Sequence, residues 1–287
     1  MRRFTAEYLE RTREGMWADS REPLVDLDLP TRTRILDVGC GTGELTRVLA
    51  DESTTNEVPT ANNCEPTTHE EPTAEVVGCD VDTDLLKVAS EHVPAVAGDA
   101  LCLPFKDDSF DLVVCQALLI NLPDPAAALG EFARVSSDLV AAVEPNNAEV
   151  TVDSTVDAEV SLESRVREAY LRGVETDVAL GDRVETLFGE VGFDVISTRR
   201  YHHEKRTEPP YSEAALTDAA RKASGAGLAD HEMELRRGLE SRASTYDDLR
   251  HEWREMGRQV VDEMQASEYE RVETVPFDVT VGRVDGT

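Results

Sequence analysis

Between residues 35 and 44 the chain reads Ile35-Leu36-Asp37-Val38-Gly39-Cys40-Gly41-Thr42-Gly43-Glu44. An apolar run of strand character closes beside a carboxylate and passes through three alternating glycines. It then enters a helical pattern at Leu45, Val48 and Leu49. Gly39 and Gly41 can take backbone angles closed to other residues, and they leave no side chain between the chain and a ligand. The helix that follows aims its unpaired N–H groups and the positive end of its dipole at the same turn. Three glycines in five residues sacrifice more backbone entropy than a plain strand–helix turn needs, which argues for a ligand there. Asp37 would repel a pyrophosphate but suits a cationic amino acid.

The spacing narrows the ligand. A dinucleotide loop has the pattern G-x-G-x-x-G, whereas here the glycines fall as G-x-G-x-G and Glu44 stands where the last glycine is required. No G-x-x-x-x-G-K-[ST] follows, which excludes a P-loop. Three further segments follow in order. Ala74–Asp80 is a second apolar run ending in a carboxylate, with Asp82 placed to cap a helix through Leu85, Leu86 and Ala89. Pro94–Ala100 is a third, ending Gly98-Asp99-Ala100. Phe110–Gln116 is a fourth, leading through Asn121-Leu122-Pro123-Asp124-Pro125 into a helix with Leu129, Phe132 and Val135.

The pattern D-x-G-x-G-x-G with these three successors resembles the class I S-adenosylmethionine-dependent methyltransferases. Within them it is similar to the broad small-molecule, type 11 or ubiquinone-biosynthesis-like group, and the likeness is confined to residues 34–145. The resemblance implies an α/β fold, a doubly wound and mostly parallel seven-stranded sheet, and S-adenosylmethionine as cofactor. It implies a methionine-side cradle at Asp37, Gly39, Cys40, Gly41 and Gly43. Asp80 and Val81 would serve the ribose, Asp99 and Ala100 the adenine, and Gln116 would close the fourth strand.

The remaining chain is read as an elaborated single domain, residues 1–287. A fifth strand is expected at Asp138–Val143, helices over 156–172 and 180–190, a sixth strand at Phe193–Ser197 and a seventh at Pro276–Gly282. The resembling family carries Pro-Gly-Gly before the fifth strand, where this chain has Ser136-Ser137-Asp138. Residues 208–270, with Tyr246, Leu249, Trp253, Met256 and Val260 at helical spacing, predict a helical insertion capping the acceptor pocket. Residues 1–22 predict an amphipathic helical lid carrying Tyr8 and Trp17. Residues 51–73 are polar and acidic, a surface insertion whose removal restores the usual spacing from the glycine loop to Asp80.

Composition bears on environment. The 287 residues hold 59 acidic against 29 basic side chains, a formal net charge of -30, and Lys87, Lys106, Lys205 and Lys222 are the only lysines. A carboxylate-rich, lysine-poor surface suits a cytoplasm of very high salt, where self-repulsion is screened, and the expectation is a halophilic archaeal origin. The acidity then reports the solvent and does not itself exclude nucleic acid, which nevertheless is not expected as a partner. Five cysteines show no C-x-x-C pair, and Cys64 and His69 stand too isolated for zinc. No signal peptide or membrane-length apolar run is present, so a cytoplasmic chain with no metal is expected.

The acceptor belongs beside the fourth and fifth strand ends, at Asn121, Glu144, Asn146 and Asn147. No catalytic base stands out, because Asn121 occupies a segment where related enzymes often carry histidine. His202 and His203 lie in the one locally basic stretch, Arg199–Arg206, read as a charged edge strand in preference to an anion site. Glu208-Pro209-Pro210-Tyr211 only superficially matches the motif of amino-group DNA methyltransferases, since it follows the wrong strand. The expectation is methyl transfer to a small molecule. RNA or protein methylation, or cofactor binding without catalysis, are the alternatives.

Overall fold

The computed structural model describes residues 5–7, 9, 16, 17, 21–54, 74–240 and 245–284. In chain order the first elements are β1 (Arg34–Val38), α1 (Glu44–Ser53), β2 (Glu75–Asp80), α2 (Thr83–Ala89), β3 (Ala95–Ala97) and β4 (Phe110–Gln116). Next come α3 (Pro125–Val135), β5 (Ser136–Pro145), β6 (Thr151–Ser154), α4 (Asp157–Gly173) and α5 (Val184–Val191). The last are β7 (Asp194–Thr207), α6 (Glu213–Ser224), α7 (Ala226–Ala229), α8 (Glu232–Leu239), α9 (Tyr246–Ala266) and β8 (Arg271–Arg283). They fall into two compact units, one of Met1–Glu144, Gly181–Arg200 and Asp278–Thr287, the other of Pro145–Leu180 and Tyr201–Phe277.

The first unit is a Rossmann-like sheet in the order β3-β2-β1-β4-β5-β8, with β7 also on β8. The pairs β1–β2, β1–β4, β2–β3 and β4–β5 are all parallel. β4 and β5 are buried over nearly their whole lengths, as continuous apolar runs in a doubly covered parallel sheet must be. Thr198 lies beside Thr280 and Arg200 beside Asp278, so β7 advances as β8 retreats. Strand order reverses at β1, which has β2 on one side and β4 on the other. In such sheets that is where a crevice opens at the carboxyl ends.

Helix starts follow their sequence signals. Asp82 accepts the N–H groups of Asp84 and Leu85 at the head of α2, and Asp124 accepts Ala127 N–H with Pro125 opening α3. Three expectations need correction. The third strand is only Ala95–Ala97, because Asp99 folds back to bridge Cys102. No turn separates α3 from β5: the strand begins at Ser136, whose hydroxyl donates to Leu139 O at 2.8 Å. The sixth strand runs on to Thr207, so the whole basic stretch lies within β7. Arg199 pairs with Asp26 there, and both Arg200 nitrogens reach Asp278 at 2.8 Å.

The second unit is mainly helical. β6, which the sequence did not signal, runs antiparallel to the Arg271–Thr274 end of β8. Residues 208–270 hold α6 to α9. Leu249, Trp253, Met256, Val260 and Met264 turn the buried stripe of α9 into a core with Leu162, Leu235 and Tyr269. Thr245 and Asp248 close its start as a reciprocal capping box. Helices α4 and α8 touch through glycine: a Cβ on Gly238 would fall 1.8 Å from Ala169 O, and one on Gly173 1.8 Å from Glu234 O.

Candidate functional site

Hydrogen bonds to the end of β2 shape the glycine loop. Gly39 N and Cys40 N donate to Cys79 O at 2.7 and 3.1 Å, Gly41 N donates to Asp80 Oδ2 at 2.9 Å, and Gly43 N donates to Cys40 O at 2.8 Å. Gly39, Gly41 and Gly43 have φ of 74°, 55° and 82°, the left-handed region in which a side chain is strained. Space is also closed at Gly39, where an added Cβ would lie 2.9 Å from Leu118 Cδ1. The alternating glycines are therefore required by backbone geometry, and they leave a cradle without side chains.

Asp80 is half-buried, and its second oxygen accepts Asp82 N–H at 2.8 Å. Beside it Val81 is 48% exposed, and beyond Asp99 so is Leu101, at 39%. Asp99 is exposed, its Oδ1 accepting Leu101 N–H at 3.0 Å, while Ala100 is buried. Two exposed apolar side chains next to two strand-end acids suit a flat ring with a polar sugar. Leu101 was not singled out in the sequence, although an apolar residue straight after Asp99-Ala100 was the signal available.

Asp37 points elsewhere. It is buried beneath the loop and accepts the Thr46 hydroxyl at 2.6 Å. The thiols of Cys40, Cys79 and Cys115 are also buried, and burial pushes the Cys79 thiol up to about 12 and the other two upward as well. None is a nucleophile near neutral pH. Among the described residues no cluster of His, Cys, Asp or Glu could hold a metal ion, and no helix is long and apolar enough to cross a membrane.

At the end of β4, Gln116 is buried, its Nε2 donating to Met16 Sδ at 2.7 Å and its Oε1 accepting Trp17 Nε1 at 3.5 Å. Trp17 thus packs at this strand end, while Tyr8 lies outside the described residues. Ala117 has φ 48°, strained for an alanine, and Asn121 Nδ2 donates to its carbonyl at 2.8 Å. Asn121 Oδ1 is buried without a hydrogen-bond partner among the described residues. Glu144 does not line a pocket: it is fully buried and accepts backbone N–H groups of Leu118, Leu119 and Ile120. Asn146 and Asn147 belong to the second unit. There Asn146 Oδ1 accepts Ala148 N–H at 3.2 Å, and Asn147 Nδ2 donates to Val178 O at 2.6 Å.

The residues of the first unit fit S-adenosylmethionine. A Cβ at Gly39 would strike Leu118 and one at Gly43 would crowd Val93 and Ala89, Thr42 Oγ1 in the loop is buried with no hydrogen-bond partner among the described residues, and half-buried Asp80 accepts Gly41 N–H at the strand switch. Residues 36–138 match the methyltransferase domain family. Over those residues the chain carries an S-adenosylmethionine-dependent methyltransferase domain.

Among particular proteins it is similar to demethylmenaquinone methyltransferases. With that of Lactiplantibacillus plantarum it shares 36% identity over 124 residues, 40% of this chain and 45% of the relative. With that of Staphylococcus aureus it shares 36% over 116 residues, 38% of this chain and 41% of the relative. The matched stretch therefore spans less than half of these curated relatives. A solved structure from Bacillus halodurans, assigned as a methyltransferase, has the same fold. Its TM-score is 0.51 at 18% identity, covering 93% of this chain and 99% of that one.

Proposed function

We propose that this chain transfers the methyl group of S-adenosylmethionine to a small-molecule acceptor of the quinone type. The observation that carries the reading is the closure of the glycine loop on Asp80 at the reversal of strand order, Gly41 N to Asp80 Oδ2 at 2.9 Å. The names of the matched relatives support a demethylated quinone ring as the acceptor. When bound, the cofactor supplies a methyl group already activated on a sulfonium sulfur.

The protein's work is then to hold, align and exclude water, for which orientation alone can supply about 7–11 kcal/mol of the barrier. Gly39 to Gly43 hold the amino-acid end, Asp80 accepts ribose hydroxyls, and Val81 and Leu101 flank the base. Gln116 and the turn after it border the reacting face. Asp37 and Glu144 are buried and bonded, so neither is available as a base. That favours an acceptor whose own ring oxygens make it electron-rich. The carboxylate-rich surface suits work in molar salt.

Isothermal titration with S-adenosylmethionine in molar KCl tests the donor half, and labelled methyl transfer to reduced demethylmenaquinone tests the acceptor half. Undetectable cofactor binding would sink the proposal. Binding with turnover on RNA or protein, and none on the quinol, would overturn the acceptor class.

A further inference from the structure

We infer that Glu144 is the positioning residue of the acceptor-side turn: its buried carboxylate fixes residues 116–121, the segment that borders the reacting face. What the turn faces rests on the function proposed above; the latch itself rests on geometry alone.

Glu144 Oε1 accepts Leu118 N–H at 2.9 Å and Leu119 N–H at 2.8 Å, and Oε2 accepts Ile120 N–H at 3.4 Å. The Cys115 thiol approaches Oε1 at 3.8 Å. Three successive amides thus converge on one carboxylate, which occupies a nest usually left to an anion. The turn needs such a hold. Ala117 sits at φ 48°, its N–H donating to Val143 O at 2.9 Å while its carbonyl takes Asn121 Nδ2 at 2.8 Å. A non-glycine residue persists in that region only where its surroundings fix it.

An apolar residue would fill the same volume at less cost, since the groups that most favour the charged carboxylate are backbone N–H groups and not a Lys or Arg. Burial pushes its carboxyl up to about 7, while the N–H groups of Leu119, Leu118 and Ile120 and the Cys115 thiol pull the other way. The titratable neighbours are Cys115 on β4 and, acting on Cys115, Asp37 on β1. Cys115 stays a neutral thiol because burial raises it, so near neutrality Glu144 is the group that changes. Protonation removes the negative charge that strengthens the three amide hydrogen bonds, and the turn loosens as pH falls through about 7. Global stability moves the opposite way. A raised carboxyl contributes stability that is present below its unfolded value and lost as pH rises through about 7.

Amide hydrogen exchange by NMR on the full chain in molar KCl, from about pH 5.5 to 8.5, separates the two signs. Corrected for intrinsic rates, protection at Leu119 and Ile120 is expected to rise about tenfold across the titration. Leu36 in β1 should instead follow global stability. In Glu144→Gln, protection at Leu119 and Ile120 should be low and flat with pH. S-adenosylmethionine should still bind within about twofold of wild type, because the Asp80 loop is untouched. Flat wild-type protection at Leu119 and Ile120, or wild-type protection retained in Glu144→Gln, overturns the latch. So does a large loss of cofactor affinity in that variant. The wild-type profile decides even if the variant fails to fold. A wild-type chain that binds no cofactor overturns the methyl-transfer reading without altering the exchange result.

Discussion

Replacing Asp80 should separate cofactor affinity from fold stability more cleanly than any other single change. An ionised carboxylate offers about four acceptor sites. Two are already taken, by Gly41 N–H at 2.9 Å and Asp82 N–H at 2.8 Å. The remaining pair matches the two hydroxyls of a ribose diol. A hydrogen bond to an ionised group contributes about 1.5–3 kcal/mol, so losing both to the ligand costs about 3–6 kcal/mol. Asp80→Ala should therefore weaken S-adenosylmethionine binding by about a hundredfold to ten-thousandfold. The fold should suffer less. Asp80 is only half-buried, so water can replace it at the two released amides, and about 1 kcal/mol of stability is at risk. The assay is isothermal titration in molar KCl, paired with the melting temperature of each variant. Asp99→Ala, at an exposed carboxylate, is expected to cost less. An Asp80→Ala protein that melts like wild type and binds the cofactor within about threefold would refute the acceptor-site argument.

Further outcomes follow from other sites. Gly39→Ala forces a side chain onto φ 74° and against Leu118, and should cost about 1–3 kcal/mol in thermal unfolding while weakening cofactor binding. In the second unit, Glu159 is fully buried and takes donors from Ser154, Lys222 and Tyr269, with Arg271 near. Burial alone would raise its carboxyl, but Lys222, Ser154 and Arg271 outweigh burial and hold it below the usual glutamate value. Its stabilisation is thus present above that usual value and lost as pH falls through the lowered one. Lys222→Met should cost about 1–3 kcal/mol at neutral pH by removing one of the two cations beside a buried carboxylate, and that loss should shrink in acid; an equal loss at both pH values would contradict the pairing. Finally, a net charge of -30 predicts a large fall in melting temperature when KCl drops from about 1 M to 0.1 M, as the screening length grows from about 3 to 10 Å. Sucrose should not rescue it.

The parts of the fold legible in the sequence are those encoded by local backbone demands. Gly39 and Gly41 announced left-handed angles, Asp82 announced a helix start, and the apolar runs of β1, β2 and β4 announced buried parallel strands. The buried stripe of α9 was likewise legible from its helical period. The misread places depend on distant partners. β6 is four residues of alternating exposure whose only reason to be a strand is the edge offered by β8. The expected sixth strand stopped at Ser197 and the charged stretch was read as an edge strand of its own; pairing with β8 and ion pairs to Asp26 and Asp278 join the two into one strand, β7, that runs on to Thr207. Gly173, Gly238 and Gly257 lie within helices, each where another backbone passes too close for a Cβ.

The same logic separates strand-end acids that look alike in the sequence. Asp37, Asp80 and Glu144 are all acids at or beside the ends of apolar strands, and in one dimension they are equivalent. Burial sorts them. Asp37 and Glu144 are enclosed: Asp37 Oδ2 accepts the Thr46 hydroxyl, and Glu144 accepts three amides of the next turn. Asp80 stays half-exposed with lone pairs in reserve, and only that combination can serve a ligand. Asn146 Oδ1 is tied into its own turn by Ala148 N–H, and Asn147 Nδ2 is tied to Val178 O. Asn121 divides: its Nδ2 holds Ala117, while its Oδ1 finds no donor among the described residues. A polar residue at a strand end is therefore first a candidate for closing its own backbone. It becomes a candidate for ligand only when the fold leaves some of its hydrogen-bonding capacity unused.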